Sequence, residues 1–124
     1  MRVLSEDIFR SMSKYHNIKT TIDGITFDSK AEAERWGELR LMEHAGVIKD
    51  IQRQVKFVLQ PSFRKGGKTY REIDYIADFT YYDTISRRNI VEDVKGVETA
   101  VFKLKKRMFE YTFPELTITE VKKR

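Results

Sequence analysis

The chain has 124 residues and no cysteine, which excludes disulfides, thiolate metal sites and cysteine nucleophiles. Its length fits one ordinary domain, and a hydrophobic share of 40% can supply a core. No stretch approaches the roughly 18 consecutive apolar residues of a membrane helix, and charges interrupt the N-terminal segment. We therefore expect no membrane association, no secretory signal and a cytoplasmic location. A formal net charge of +5 favours a polyanionic partner.

Residues 1–14 show no clear period and are interpreted as an N-terminal arm, followed by a single domain over 15–124. The first predicted element is a small hairpin over 18–27, because Asp23-Gly24 suits a two-residue turn.

The capping-box spacing of Ser29 and Glu32 predicts a helix that runs to Ala45 and stops at Gly46. Strands, turns and a second helix follow, with composition and breaker residues marking their limits. They are a strand over 51–60, a loop over 65–68, a strand over 70–82, a turn over 83–89, a strand over 90–95, a helix over 100–111 and a strand over 116–121. The predicted core order is α-β-β-β-α-β.

Two strands and one helix carry acids inside apolar segments. Alternation places Asp78 opposite to the apolar set Tyr75, Ala77, Phe79 and Tyr81. Asp93 and Lys95 share a face of the next strand, and Glu32 lies on the inward face of its helix. Solvated or capping roles for these acids, and a surface ion pair for Lys95, stay open as alternatives.

Asp78 and Asp93 come side by side if their strands pair across the 83–89 turn. Such hard oxygen ligands suit Mg²⁺ or Mn²⁺, with the Val94 carbonyl and Glu32 as further ligands. Lys95 would orient the attacking water or act as a base.

The combination of Asp78 with Asp93-Val94-Lys95 resembles the PD-(D/E)XK nuclease signature, with Ala77 where a Pro often precedes the first Asp. Glu32 resembles the additional helix acid of many members. The resemblance implies an α/β restriction-endonuclease-like core, in which helices flank a central mixed sheet.

A closer resemblance, to small phage and prophage proteins long described as a domain of unknown function, runs over most of the chain. The segments that carry it are Lys14-Tyr15-His16, Phe27-Asp28-Ser29-Lys30, Leu59-Gln60-Pro61, Tyr75-Ile76-Ala77-Asp78-Phe79, Glu92-Asp93-Val94-Lys95-Gly96 and Phe102-Lys103-Leu104-Lys105. It implies a metal-dependent phosphodiesterase of phage DNA metabolism.

Cations elsewhere in the sequence are candidates for DNA contacts. Lys103, Lys106 and Arg107 share one face of the second helix, which follows the Asp93 strand, and Lys65 and Lys68 are further candidates. Either Gln54 or Gln60 is expected to face the cleft, and His16 could reach it from the arm.

The leading hypothesis is a Mg²⁺-dependent endodeoxyribonuclease of phage recombination or repair, with a branched-DNA (Holliday-junction) resolvase as one form. Because a single site cuts one strand, a homodimer is expected. The alternatives are a DNA-binding module without catalysis and a phage interaction protein on the same fold.

Overall fold

The computed structural model describes residues 2–3, 19–22, 24–95 and 97–122. Its elements are β1 (Arg2–Val3), β2 (Thr20–Ile22), β3 (Ile25–Phe27), α1 (Lys30–His44), β4 (Ile48–Gln60), β5 (Phe63–Lys65), β6 (Lys68–Tyr70), β7 (Ile73–Asp83), β8 (Arg88–Lys95), α2 (Ala100–Thr112) and β9 (Ile118–Lys122). Most of the predicted arm, together with His16, lies outside the described residues.

The central sheet has four strands in the order β4-β7-β8-β9. Strands β4, β7 and β8 are antiparallel neighbours, whereas β9 returns through α2 to pair in parallel with β8. Two smaller antiparallel sheets, β1-β2-β3 and β5-β6, accompany it. The prediction of a mixed α/β fold with a central mixed sheet and two helices is confirmed.

Helix α1 begins where the sequence predicts. The Ser29 hydroxyl accepts a hydrogen bond from the Glu32 amide at 3.1 Å, which satisfies one of the free N–H groups of the first turn. Trp36 and Leu39 are buried on the inward face of the helix, in a core cluster that also contains Phe27 and Phe79. This cluster fixes α1 against the sheet.

Helix α2 contributes to a second cluster. Thr99 caps its N-terminus, and Phe102 and Phe109 are buried with Val91 and Ile118. Neither described helix is long and apolar enough to cross a membrane.

Three predicted elements need correction. The 65–68 segment is the turn of a hairpin, in which β5 and β6 pair. The strand predicted over 70–82 is two elements, because Tyr70 belongs to β6 and β7 begins at Ile73. Strand β4 begins three residues earlier than predicted, since a register irregularity at Asp50, where φ is 60°, lets pairing resume beyond it.

Strand β7 buries Tyr75, Ala77, Phe79 and Tyr81 at alternate positions, but these side chains do not all enter one cluster. Tyr75 and Ala77 belong to the α2 cluster, whereas Phe79 and Tyr81 belong to the α1 cluster. The four side chains alternate with their neighbours as predicted, but they pack in two clusters. The change of cluster falls at Asp78.

The opposing position in β4 is irregular. Arg53 pairs with Phe79, and Val55 pairs with Ala77, so Gln54 lies between them, across from Asp78. Gln54 has a φ of 51°, in the left-handed region that a side chain other than Asn or Asp rarely adopts. Strand β4 thus has an unusual backbone conformation at the level of the sheet where β7 passes from one cluster to the other.

A buried ion pair joins α1 to β8. The Arg35 guanidinium donates from Nε to Glu92 Oε1 at 2.9 Å and from Nη2 to Oε2 at 2.6 Å. Glu92 is 1% exposed, and the Tyr81 hydroxyl also donates to it. The two-point contact fixes the orientation of α1, and therefore of the acid one turn earlier on the same helix.

We expect Arg35→Ala to lower the free energy of unfolding by about 3–5 kcal/mol, because it leaves Glu92 buried and charged. Urea unfolding measures the loss. The matched control is Arg40→Ala, which removes an exposed ion pair with Glu43 and should cost less than about 1 kcal/mol. The double substitution Arg35→Met with Glu92→Leu should recover most of the stability. Equal losses for the two single variants would contradict this interpretation.

Candidate functional site

Asp78 lies where the pairing of β7 and β8 ends. Phe79 and Glu92 form the last backbone pair of the two strands, and Asp78 and Asp93 are the next residues of β7 and β8. Asp78 Oδ2 accepts a hydrogen bond from the Val94 amide at 2.7 Å. A carboxylate, not a main-chain carbonyl of β7, therefore bridges the two strands at this point.

Asp93 is 4% exposed and has two partners. The Tyr75 hydroxyl donates to its Oδ2 at 2.6 Å, and the Lys95 ammonium lies 3.4 Å from its Oδ1. Lys95 also lies over the ring of Phe102, 4.1 Å from its centroid. The predicted shared face of Asp93 and Lys95 is present, but the pair is set into the protein and is not on the open surface.

Glu32 reaches the same region from α1. It is 6% exposed, and its Oε1 accepts a hydrogen bond from Gln54 Nε2 at 3.2 Å. The Gln54 side chain also lowers the pKa of Asp78, so its amide lies near both carboxyl groups. Of the two glutamines left open by the sequence, Gln54 is the one at the acids.

The electrostatics of these acids reflect burial and mutual repulsion. Burial, together with the charges of Asp78 and Asp28, raises the pKa of Glu32 from 4.5 to about 7. Burial likewise raises the pKa of Asp78 from 3.8 to about 6, with the Val94 amide opposing the rise and the Asp93 charge adding to it. A cation at this point would favour the ionised form of both groups.

A groove of about 280 Å³ opens beside Asp93 and Lys95. The first residues of β7 form one wall, and the start of α2 forms the other. Its lining residues are Asp74, Tyr75, Ile76, Asp93, Lys95, Thr99, Val101, Phe102 and Lys105. The groove gives Asp93 and Lys95 access to a ligand even though Asp93 itself is buried.

The predicted DNA-contacting cations have different surroundings. Lys103 and Arg107 are exposed on α2, as the prediction requires. Lys106 donates to Glu120 Oε2 at 3.1 Å and is half-buried, so it is engaged within the protein. Lys65 and Lys68 are exposed on the hairpin of β5 and β6.

Three features of the site were absent from the sequence hypothesis: the Tyr75 hydroxyl on Asp93, the Arg35–Glu92 pair and the place of Lys105 in the groove. The sequence predicts Tyr75 as a core aromatic residue, and its ring is buried. Nothing in the sequence indicated that its hydroxyl would contact Asp93. Helical spacing indicated only that Arg35 lies close to Glu32, since it follows three residues later on a neighbouring face of the helix.

The donor set is suited to a hard divalent cation. Among the described residues no three His, Cys, Asp or Glu side chains form a ready metal-binding group. Mg²⁺ does not need one, because it keeps several waters and binds through one or two carboxylates together with substrate phosphate. Asp78 and Asp93 supply such carboxylates. Glu32 lies close enough to Asp78 for the Asp78 charge to raise the pKa of Glu32.

The chain belongs to the family described as "Protein of unknown function (DUF1064)", whose model matches residues 12–124. No curated protein and no solved structure matches the chain.

We expect Glu32→Gln to stabilise the protein at pH 8 and to change little at pH 4.5. The folded-state pKa of Glu32 is raised, so stability is highest below the unfolded value near 4.5 and falls as pH rises through about 7. The glutamine amide cannot ionise, so the substitution removes the cost of ionising the buried carboxyl, about 2 kcal/mol.

Thermal unfolding at both pH values measures the effect without added metal. Glu34→Gln on the exposed face of α1 is the control and should change Tm little at either pH. A stabilisation at pH 8 no larger than that of the control would contradict the assignment of a raised pKa to Glu32.

Proposed function

We propose that this protein is a Mg²⁺- or Mn²⁺-dependent endodeoxyribonuclease with a restriction-endonuclease-like fold. One observation carries the proposal: Asp78 and Asp93 come together where the pairing of β7 and β8 ends, and Asp93 and Lys95 line an open groove. Glu32 lies close enough to Asp78 to feel its charge. A module that only binds DNA has no use for a buried acid paired with a lysine at the base of a groove.

The charge distribution supports a phosphodiester substrate. Lys105 lines the groove together with Lys95, and Lys103 and Arg107 lie exposed on the same helix as Lys105. These cations offer contacts to the phosphates on either side of the bond that is cut. Lys65 and Lys68 lie beyond the start of β7 and extend the basic surface.

Each residue of the site has a distinct role in this proposal. Asp78 and Asp93 hold the divalent ion, with Glu32 as a further or water-bridged ligand and the Val94 carbonyl as a neighbouring donor. The bound ion would neutralise charge on the scissile phosphate and make hydroxide available near neutral pH. Tyr75 fixes the rotamer of Asp93 through its hydroxyl.

Lys95 acts on the water and the phosphate. Its Nζ lies 3.4 Å from Asp93 Oδ1 and 4.1 Å from the centroid of the Phe102 ring. We therefore assign it to orient the attacking water and to stabilise negative charge on the phosphate. Water attacks phosphorus, one P–O bond to deoxyribose breaks, and the products are a hydroxyl end and a phosphomonoester end.

The substrate proposed is a recombination or repair intermediate of phage DNA, with a branched junction as one form. A single site of this size cuts one strand. Symmetrical cutting of both strands requires a homodimer, which we propose as the active assembly.

We expect Asp93→Asn to lower the rate of DNA cutting by at least about 10²-fold, because the amide cannot neutralise a cation. Tyr75 can still donate to the amide oxygen, so the fold should survive. The assay incubates the protein with linear, nicked and four-way DNA in Mg²⁺, Mn²⁺ or EDTA. Asp50→Asn is the matched control, since Asp50 is exposed and its left-handed φ suits Asn.

The same assay separates the alternatives. Salt-sensitive DNA binding that survives EDTA, with no cutting in any metal, would instead assign the chain to the DNA-binding modules. Absence of DNA binding altogether would assign it to the phage interaction proteins.

We expect Mn²⁺ at about 100 times its Kd to stabilise the folded protein by about 2.7 kcal/mol, because the ion binds only the native site. Asp78→Asn should abolish this stabilisation, and Asp50→Asn should retain it. Since the pKa of Asp78 is about 6, protons should compete with the metal and weaken its binding as pH falls through that value. Differential scanning calorimetry from pH 5 to pH 8 measures both effects, and a pH-independent shift would contradict the role of Asp78.

A further inference from the structure

The hairpin of β5 and β6 extends beyond one end of the central sheet. The first residues of β7, which line the groove, lie at this end. Gln60 pairs with Ile73 at the last rung of β4 and β7, and the hairpin connects these two residues. It forms a two-stranded sheet of its own, and every residue of β5 and β6 is exposed. Neither face of the hairpin is used by the core.

The hairpin is a strongly basic segment of the chain. Residues 61–71 contain four cations and no acid: Arg64, Lys65, Lys68 and Arg71. Two of them lie directly opposite each other, since Lys65 pairs with Lys68 across the strands. Like charges in this position destabilise a hairpin. An anionic group placed between the two ammonium groups would remove that cost.

The backbone of the hairpin is fixed despite its exposure. Gly66 and Gly67 have φ of 59° and 75°, which a two-residue turn of this hand requires. The Arg64 guanidinium donates across the strands to Thr69 Oγ1 at 2.6 Å and to the Gly67 carbonyl at 3.3 Å. The two lysines are therefore presented by a stiff ribbon.

An aromatic pair distinguishes between two kinds of nucleic acid. The rings of Phe63 and Tyr70 stack on each other with centroids 4.8 Å apart and an angle of 7°. The Lys68 ammonium also lies 5.0 Å from the Tyr70 centroid. One face of each ring is covered by the other ring, and the Lys68 ammonium lies near Tyr70, so the pair offers fewer free faces to an unpaired base than two separate rings would. This favours phosphate contacts to a duplex over the base stacking typical of single-strand binders.

We propose that the β5–β6 hairpin is a duplex-DNA-binding ribbon that enters the major groove and places Lys65 and Lys68 on backbone phosphates. A two-stranded ribbon fits the width of that groove. The inference rests on the proposed function and deepens it, because it names double-stranded DNA as the partner. The ribbon would hold the double helix next to the groove that contains Asp93 and Lys95.

The test compares two variants of equal charge by fluorescence anisotropy in EDTA, where no cutting occurs. Lys65→Ser with Lys68→Ser removes the hairpin lysines. Lys49→Ser with Arg87→Ser removes two exposed cations at the opposite end of the sheet. On a duplex of about 30 base pairs, the hairpin variant should reduce the slope of log Kobs against log salt by about 2, and the control should leave it unchanged.

Lys68→Glu tests the hairpin without removing a cross-strand pair. The substitution places opposite charges across the strands, so Tm should stay the same or rise, whereas duplex affinity should fall by at least about tenfold. A purely structural role for Lys68 would move stability and binding in the same direction.

Three results would overturn the proposal: equal slopes for the hairpin and control variants, an equal loss of affinity for a single strand of matched length, or hairpin-dependent binding to anionic phospholipid vesicles in preference to DNA. A different result would contradict the proposed nuclease function. Hairpin-dependent duplex binding without cutting in Mg²⁺ or Mn²⁺ would support the DNA-binding role of the hairpin and contradict the proposed enzymatic activity.

Discussion

The hydrogen bond from the Val94 amide to the Asp78 carboxylate is the contact on which the site depends. In a regular antiparallel pair the backbone would continue the ladder, and each acid would point to a face set by its parity. Here the ladder between β7 and β8 ends, and a side chain takes over the contact between the strands. Asp78 is thereby held next to Asp93.

The opposing residue in β4 completes this arrangement. Gln54 adopts a left-handed φ across from Asp78, and its amide lies near both Asp78 and Glu32. The irregularity costs backbone energy, of the order of 1–3 kcal/mol for such a conformation. At the same level of the sheet, β7 passes from the cluster of α2 to the cluster of α1.

Concentrating acids in this region works against stability. The pKa values of Glu32 and Asp78 are both raised, so at neutral pH each carboxylate carries a cost of desolvation and repulsion. The Arg35–Glu92 pair offsets none of that repulsion directly, but it fixes α1 against β8 and keeps Glu32 in place. A divalent cation would reverse the balance, because it favours the ionised form of every acid near it.

The sequence by itself determined the local elements and the chemical character of the site. Capping residues set the start of both helices, and the spacing of Asp78, Asp93 and Lys95 along two consecutive strands placed them at one hairpin. These features depend on neighbours in the chain, which periodicity and capping rules describe. Only the tertiary structure decided which cluster each buried side chain of β7 enters, that Gln54 and not Gln60 meets the acids, and that Lys106 is engaged with Glu120. Each of these depends on contacts between elements distant in sequence, which periodicity and capping rules do not describe.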